Sequence, residues 1–302
     1  MNRGLVVAGH GRHYIVETPA GARLTCHPRG KKSDCVVGDR VLWQATQAAG
    51  DEGVIEQVEA RRNLLFRQDE WKTKSFAANL DQLLVLVAVD PPYAESQLAR
   101  SLIAAESAGI AARVVLNKID LPQAGTARRR LEPYRAMGVE VIEVGLKSEP
   151  AAARERLAGL LHGHATLVLG PSGSGKSTLI NLLVPDAGAQ IGEVSRSLNT
   201  GRHTTTTTQW YWLDDARSGA LIDSPGFREF GLRHVDPQAL PRLMPDLREA
   251  STRCRFYNCT HRDEPGCGVR AAVEGGAIGA SRYRIYLEIL DELTVRRPPF
   301  TR

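Results

Sequence analysis

The sequence predicts a multidomain chain: a small N-terminal OB-like β-barrel, a central α/β domain on a parallel sheet, and a mainly helical C-terminal unit around a metal-ligating cluster. Three observations carry this reading. Residues 1–65 hold short β-branched and aromatic runs separated by turn residues. From about residue 78, apolar runs of strand length alternate with helical stretches. Three of the five cysteines crowd into the fourteen residues from Cys254 to Cys267. A chain of 302 residues has room for two or three domains, and the expected divisions are 1–74, 75–235 and 236–302.

In the first unit, His13–Thr18, Ala22–Cys26, Arg40–Ala45 and Gly53–Val58 read as strands. Pro19-Ala20-Gly21, Pro28-Arg29-Gly30, Gly38-Asp39 and the glycines at 50 and 53 supply the turns. Evenly spaced short strands with such punctuation make a small antiparallel barrel. An OB-like barrel fits the size, with an SH3-like barrel as the alternative. Cys26 and Cys35 read as ordinary barrel residues.

In the second unit, Leu83–Val89 is a continuous apolar run, as expected of a strand buried on both faces of a parallel sheet. A helix over Gln97–Ala108, a strand over Ala112–Leu116 and a second helix follow. The basic run Arg128–Arg130 on that helix is expected to be a solvated face. Then come the strand Val139–Val144, the helix Ala151–Leu161, the strand Thr166–Leu169 and a helix from Gly175. Such alternation places helices on both faces of a parallel sheet. Trp210–Leu213 and Ala220–Ile222 add a hairpin-like pair. Beyond Pro237 and Pro241 the chain reads as helical, ending in a helix over Arg282–Val295.

Composition excludes several classes. Hydrophobic residues are 42% and charged residues 24%, as in ordinary globular chains, so disorder and coiled coil are excluded. The longest apolar run, Leu83–Val89, is far short of the ~20 residues a membrane helix needs. The N-terminal apolar stretch is too short for a secretion signal. The expectation is a soluble, cytoplasmic monomer. The net charge of +5 lies in the flanks. Lys and Arg outnumber Asp and Glu by 12 to 9 in residues 1–74 and by 11 to 9 in 236–302, while 75–235 balances at 16 each. A polyanion such as RNA suits those flanks.

The chemistry begins at Gly170-Pro171-Ser172-Gly173-Ser174-Gly175-Lys176-Ser177, with Thr178 next, between a strand and a helix. Glycines let successive backbone N–H groups turn inward around phosphate oxygens. Lys176 would reach the β- and γ-phosphates and Ser177 would coordinate Mg²⁺. The helix N-terminus favours the anion. Asn117-Lys118-Ile119-Asp120 stands after another strand, where open sheets bind ligands. A carboxylate there accepts from guanine N1–H and its 2-amino group, donors that adenine lacks. Asp223-Ser224-Pro225-Gly226 follows a third strand. Asp223 would hold Mg²⁺ through water and the Gly226 N–H would sense the γ-phosphate. The base motif precedes the phosphate loop, whereas ordinary GTPases run the other way. Gly145-Leu146-Lys147-Ser148 occupies the place of the second base-contacting loop. The parts are those of a P-loop GTPase in circularly permuted order, which termini that meet at a domain surface permit.

Cys254, Cys259, His261 and Cys267 make the Cys₃His set of a closed structural zinc site. An odd cysteine count without a secretion signal argues against a disulfide framework and for a metal, with free buried thiols as the alternative.

LNKIDL, GPSGSGKST, GRHTTTTT, DSPGF and the cysteine cluster, in that order, closely resemble the RsgA/YjeQ family of circularly permuted, small-ribosomal-subunit-dependent GTPases. The resemblance spans nearly the whole chain. It implies an N-terminal OB fold and zinc on the four ligands above. It also implies GTP hydrolysis to GDP stimulated by the 30S subunit, with a role in late 30S maturation and contacts to 16S rRNA. Many GTPases place a water-orienting Gln after D-x-x-G; here that position is Phe227. The nearest polar candidate for a catalytic residue is His203, in the first switch, where an imidazole could accept a proton from water. One of Thr204–Thr206, with Thr205 favoured, would complete the Mg²⁺ shell. The alternative function is an RNA-binding module with a nucleotide-sensing, non-turnover GTP site. A P-loop ATPase or small-molecule kinase is opposed by Asn117 and Asp120.

Overall fold

The computed structural model describes residues 1–30, 34–46, 52–68, 73–184, 187, 208–224 and 232–294. Five strands open the chain: β1 (Asn2–His10), β2 (His13–Glu17), β3 (Arg23–Pro28), β4 (Arg40–Ala45) and β5 (Glu52–Val58). They close in the order β1-β2-β3-β5-β4 and back to β1, with β3 and β5 parallel and the other pairs antiparallel. This five-stranded Greek-key closure is the OB arrangement and decides against the SH3-like alternative. Alternate side chains fill the barrel: Val6, Tyr14, Val16, Val41, Trp43 and Ile55, with Cys26 and Cys35 among them. Burial pushes the Cys26 thiol up to about 12, as for a packed, unreactive cysteine.

A hairpin, β6 (Leu64–Gln68) and β7 (Thr73–Ala78), leads from the barrel into the central domain. A bridge between Val37 and Ala77 ties it to the barrel.

The central sheet holds β8 (Gln82–Ala88), β9 (Ala111–Asn117), β10 (Glu140–Val144), β11 (Ala165–Leu169), β12 (Gln209–Trp212) and β13 (Ala220–Asp223), in the order β10-β9-β8-β11-β13-β12. All pairs are parallel except β12 with β13. The whole of β8 is buried, because helices cover both faces. Leu83, Val85 and Val87 point into one core with α1 (Glu95–Ser107) and α2 (Ala124–Ala136). Leu84 and Leu86 point into the other, with α3 (Pro150–Leu161) and α4 (Lys176–Leu183). The period of two along the strand thus assigns each residue to a layer. In the basic run on α2, Arg129 is exposed as expected of a solvated face, while its two half-buried neighbours also make ion pairs. Arg128 pairs with Glu143 at 2.7 Å, and Arg130 pairs with Glu95 at 3.1 Å while lying over the Tyr93 ring.

β12 also pairs antiparallel with β1, at Gln209 and Ala8, so barrel and central domain share one eleven-stranded sheet. Beside this junction the buried Glu17 carboxylate accepts from Arg23 at 2.9 Å and from Trp212 Nε1 at 2.8 Å. Arg217 stands 3.3 Å from it. Burying a carboxylate is costly unless its oxygens are paired, and here both are.

The tail packs against the α1 and α2 layer. It comprises a 3₁₀ turn (Leu240–Leu243), α5 (Pro245–Ser251), α6 (Gly268–Glu274) and α7 (Ala280–Thr294). Leu240, Met244, Leu247, Ile285 and Ile289 join the same core as Leu98 and Ile103. Arg282 of α7 is 5% exposed and donates twice to Asp246 of α5, at 3.0 Å each, with its guanidinium over the Tyr134 ring of α2. Among the described residues, no helix is long and apolar enough to cross a membrane.

Candidate functional site

The loops that follow β9, β10 and β11 meet at the carboxyl end of the parallel sheet, where a crevice forms because the connections turn away. A cavity of about 480 Å³ opens there, within the range of small-ligand sites. Asn117, Lys118, Asp120 and Lys147 line one end, and residues of the 171–178 loop line the other. The two motifs, fifty residues apart in sequence and in permuted order, therefore share one space.

The phosphate loop is shaped by close contacts that exclude side chains. Gly175 sits at φ +107°, and a Cβ there would collide with Asn117 Nδ2. A Cβ on Gly170 would strike the Leu86 carbonyl of β8. Only glycine tolerates both demands. α4 then begins at Lys176, so its free N–H groups face the crevice. Lys176 Nζ donates to the Gly170 carbonyl at 2.6 Å, within the loop it would serve. Burial lowers its pKa, opposed by the charge of Asp223.

Asn117 is 3% exposed and spends both ends of its amide on the protein. Its Oδ1 accepts from Leu146 N at 3.1 Å, and its Nδ2 donates to the Ser174 carbonyl at 2.9 Å. It is a strut that holds the second base-contacting loop and the phosphate loop together. Asp120 is exposed at the cavity end, and Ser148 Oγ donates to its Oδ1 at 3.1 Å. Lys118 takes the left-handed backbone (φ +62°) and its ammonium donates to the Asp90 carbonyl. Ile119 packs partly buried against the core below.

Asp223 ends β13, in register with Val168 of β11. Its Oδ1 is buried without a hydrogen-bond partner among the described residues, as is Ser174 Oγ. Burial raises the Asp223 pKa, while the Lys176 ammonium works the other way. An orphaned carboxylate oxygen beside a phosphate loop, with the exposed Ser177 hydroxyl at the head of α4, fits a hydrated divalent cation. His203, Thr205 and Gly226 lie outside the described residues.

The four tail ligands form a second cluster. The ligand atoms of Cys254, Cys259, His261 and Cys267 all lie within 4.8 Å of one another. Cys254 Sγ and Cys267 Sγ are 4.0 Å apart, and His261 Nδ1 is 3.4 Å and 3.5 Å from them. Around a tetrahedral metal with bonds of ~2.3 Å to sulfur and ~2.0 Å to nitrogen, those edges should be about 3.8 and about 3.5 Å. The set fits such an ion. The surroundings fix the ligands as well. Gly268 N donates to Cys254 Sγ and Arg270 N to Cys267 Sγ, the latter capping α6. Tyr283 and Tyr286 of α7 donate to the carbonyls of His261 and Thr260, at 2.6 and 3.0 Å. Burial lowers the His261 pKa, keeping the imidazole neutral for coordination.

Sequence reasoning did not reveal the roles of Asp90 or the two tyrosines. Asp90 offers a backbone carbonyl and the tyrosines act across twenty residues or more, so no local pattern marks them.

A family model described as RsgA GTPase matches residues 58–233. The chain is 57% identical to the small ribosomal subunit biogenesis GTPase RsgA of Variovorax paradoxus (strain S110), over 98% of this chain and 94% of that protein. It is 53% identical to the protein of the same name from Burkholderia pseudomallei (strain K96243), over 96% and 92%. Among solved structures, it matches YjeQ from Thermotoga maritima with a TM-score of 0.74 and 31% identity, over 98% of this chain and 99% of that one. It matches YloQ, described as a circularly permuted GTPase, with a TM-score of 0.70 and 26% identity, over 99% and 97%.

Proposed function

The chain belongs to the RsgA GTPase family, and from that premise we propose that it acts as a GTP hydrolase on the small ribosomal subunit. GTP would span the crevice, be hydrolysed to GDP and phosphate, and turn over under control of the 30S particle during its late maturation. The carrying observation is the single cavity shared by Asp120 and the 170–178 loop. One ligand that needs both ends is a guanine nucleotide with a phosphate chain.

In this reading Asp120 accepts two hydrogen bonds from guanine, with Ser148 orienting its carboxylate. Lys118 supports the base-contacting turn, and Asn117 holds the two loops at fixed separation. Backbone N–H groups of the 170–178 loop, Pro171 apart, cradle the phosphates, and Lys176 leaves the Gly170 carbonyl to meet them. Ser177 and Asp223 would hold Mg²⁺, Ser177 directly and Asp223 through water. When bound, the ion neutralises charge that builds on the phosphates. Thr205 would add a further oxygen, the Gly226 N–H would sense the γ-phosphate and His203 would orient the attacking water. Those three assignments rest on sequence.

In the tail, Cys254, Cys259, His261 and Cys267 would hold one structural Zn²⁺. The barrel, with its excess of Lys and Arg, would contact 16S rRNA. The protein would work in the cytoplasm as a monomer. The deciding experiment is phosphate release from GTP with and without purified 30S subunits. Stimulated release supports the reading, and identical rates would end the ribosome-dependent part of it.

A further inference from the structure

Among the described residues, only three large apolar side chains are exposed: Met1, Phe256 and Tyr257. Met1 is a chain end. Phe256 and Tyr257 are neighbours in the turn between Cys254 and Cys259, at 41% and 101% exposure, so the tyrosine keeps all the surface it has in an extended chain. One exposed aromatic needs no explanation, but two adjacent ones on a fixed turn do. The turn is fixed by its backbone. Arg255 N donates to the Gly266 carbonyl at 3.0 Å, and Cys259 N to the Phe256 carbonyl at 3.3 Å. The cysteines at its two ends are drawn into the ligand cluster.

The chemistry beside them is cationic. Residues 250–262 contain three arginines and no Asp or Glu; of the flanking acids Glu249, Asp263 and Glu264, the Glu264 carboxylate is spent on Thr260 and the Arg262 N–H. Arg262 is taken up by Asp291, whereas Arg253 and Arg255 are exposed and pair with no carboxylate among the described residues. The Arg255 guanidinium lies 5.5 Å from the Phe256 ring centre, so charge and π-face are presented together. A hydrophobic protein partner calls for a broader apolar patch, and here the two rings stand among Arg255, Asn258 and Thr260, all exposed. Aromatic faces flanked by unpaired arginines suit unstacked bases, whose phosphates the guanidinium groups meet.

We infer that the 255–258 turn is a binding site for single-stranded RNA: unpaired bases stack on Tyr257 and Phe256, and Arg253 and Arg255 engage the adjoining phosphates. That this RNA belongs to the small subunit rests on the function proposed above; the stacking site itself does not.

Two probes separate these layers: a fluorescent twelve-nucleotide oligouridine and purified 30S subunits, each titrated with the full-length zinc-loaded protein. Tyr257→Ala should weaken oligouridine binding by about 5-fold to about 150-fold, the range that stacking of one base represents. Tyr257→Phe, which keeps the ring, should stay within about 2-fold of the parent on the same argument. Arg255→Gln should weaken binding and lower the salt slope by about one. Zinc content and unstimulated GTP hydrolysis should be unchanged in all three. The inference falls if the parent does not bind oligouridine, or if Tyr257→Ala binds it as tightly as the parent. It also falls if Tyr257→Ala loses affinity for 30S subunits alone, since the turn then meets a ribosomal protein. A parent that binds oligouridine through Tyr257 but gains no hydrolysis from 30S subunits would overturn the ribosomal assignment and leave the stacking site standing.

Discussion

Asn117 Nδ2 donates to the Ser174 carbonyl at 2.9 Å, so the turn after β9 and the phosphate loop before α4 hold each other in place. The amide's other end accepts from Leu146 N. One buried side chain thus sets the distance between the two ends of the cavity. Asn117→Ala would leave a buried donor and a buried acceptor unpaired, at ~1–3 kcal/mol each. GTP affinity should fall by about tenfold or more on that scale, read by titration with a fluorescent GTP analogue. Unchanged affinity would mean that the loops hold their spacing without it.

Asp120 should set the choice of base. Asp120→Asn replaces one acceptor oxygen with a donor facing the guanine N–H groups, at a cost of several kcal/mol from mismatched polar groups. GTP should bind far more weakly and xanthosine triphosphate should become the preferred ligand in competition assays. Equal affinity of the parent for ATP and GTP would sink this assignment.

Asp223 illustrates stability given up for a binding site. Burial raises its pKa in the folded, nucleotide-free chain. The folded state therefore holds its proton to higher pH than the unfolded state, whose carboxylate titrates near ~3.9. Stability must fall as pH rises from there through the folded value, and the penalty is complete once the pH lies above that value. Asp223→Asn should raise the melting temperature of the nucleotide-free protein at pH 7 while abolishing Mg²⁺-dependent GTP binding. The difference in melting temperature should shrink as the pH approaches ~4. A variant less stable than the parent at pH 7 would contradict the argument.

The tail cluster should hold about one zinc per chain, on four-ligand stoichiometry. A small unit with little core of its own depends on such a crosslink. Cys259→Ala or a strong chelator should open α5 to α7 to proteolysis, while GTP binding in the crevice survives. Metal analysis that still finds a full equivalent of zinc after two ligands are removed would refute the site.

His203→Ala, assayed on 30S subunits, should bind GTP normally yet lose stimulated hydrolysis. Its partner position after D-x-x-G, Phe227, offers neither donor nor acceptor. Stimulated turnover equal to the parent's would remove His203 from the role of water-orienting residue.

Much of this was readable in the chain because the strongest signals are local. The run Leu83–Val89 is apolar at every position, and only a strand covered on both faces asks for that. The phosphate loop, the base motif and the cysteine cluster are each written in a few consecutive residues. What escaped lies in the joints. Residues 2–10 form the long strand β1, but its glycines at 4 and 9 and its unbroken Leu5–Ala8 stretch obscure any alternation. The paired strands β6 and β7 escape notice because they carry Arg67, Gln68, Lys74 and Ser75, which read as loop. The arginines of α2 look solvated in one dimension, since Glu95 and Glu143 reach them only after the sheet is assembled. Glu17 and Trp212 are 195 positions apart, a pairing that no spacing rule could suggest.

The seam between β1 and β12 has a consequence for dissecting the protein. In the intact chain β12 is paired along its length by β13, and its other side meets β1 at Gln209. A version shorn of its first sixty residues would unpair the Gln209 end of β12, strip Val7, Ala8 and Ile15 from the core that Trp210 joins, and take the Glu17 carboxylate from Trp212. Unpaired backbone next to large aromatics invites edge-to-edge association between copies. The nucleotide domain is thus unsuited to life as an isolated fragment, and insolubility of such a fragment would report a bare strand rather than a failure of the central fold.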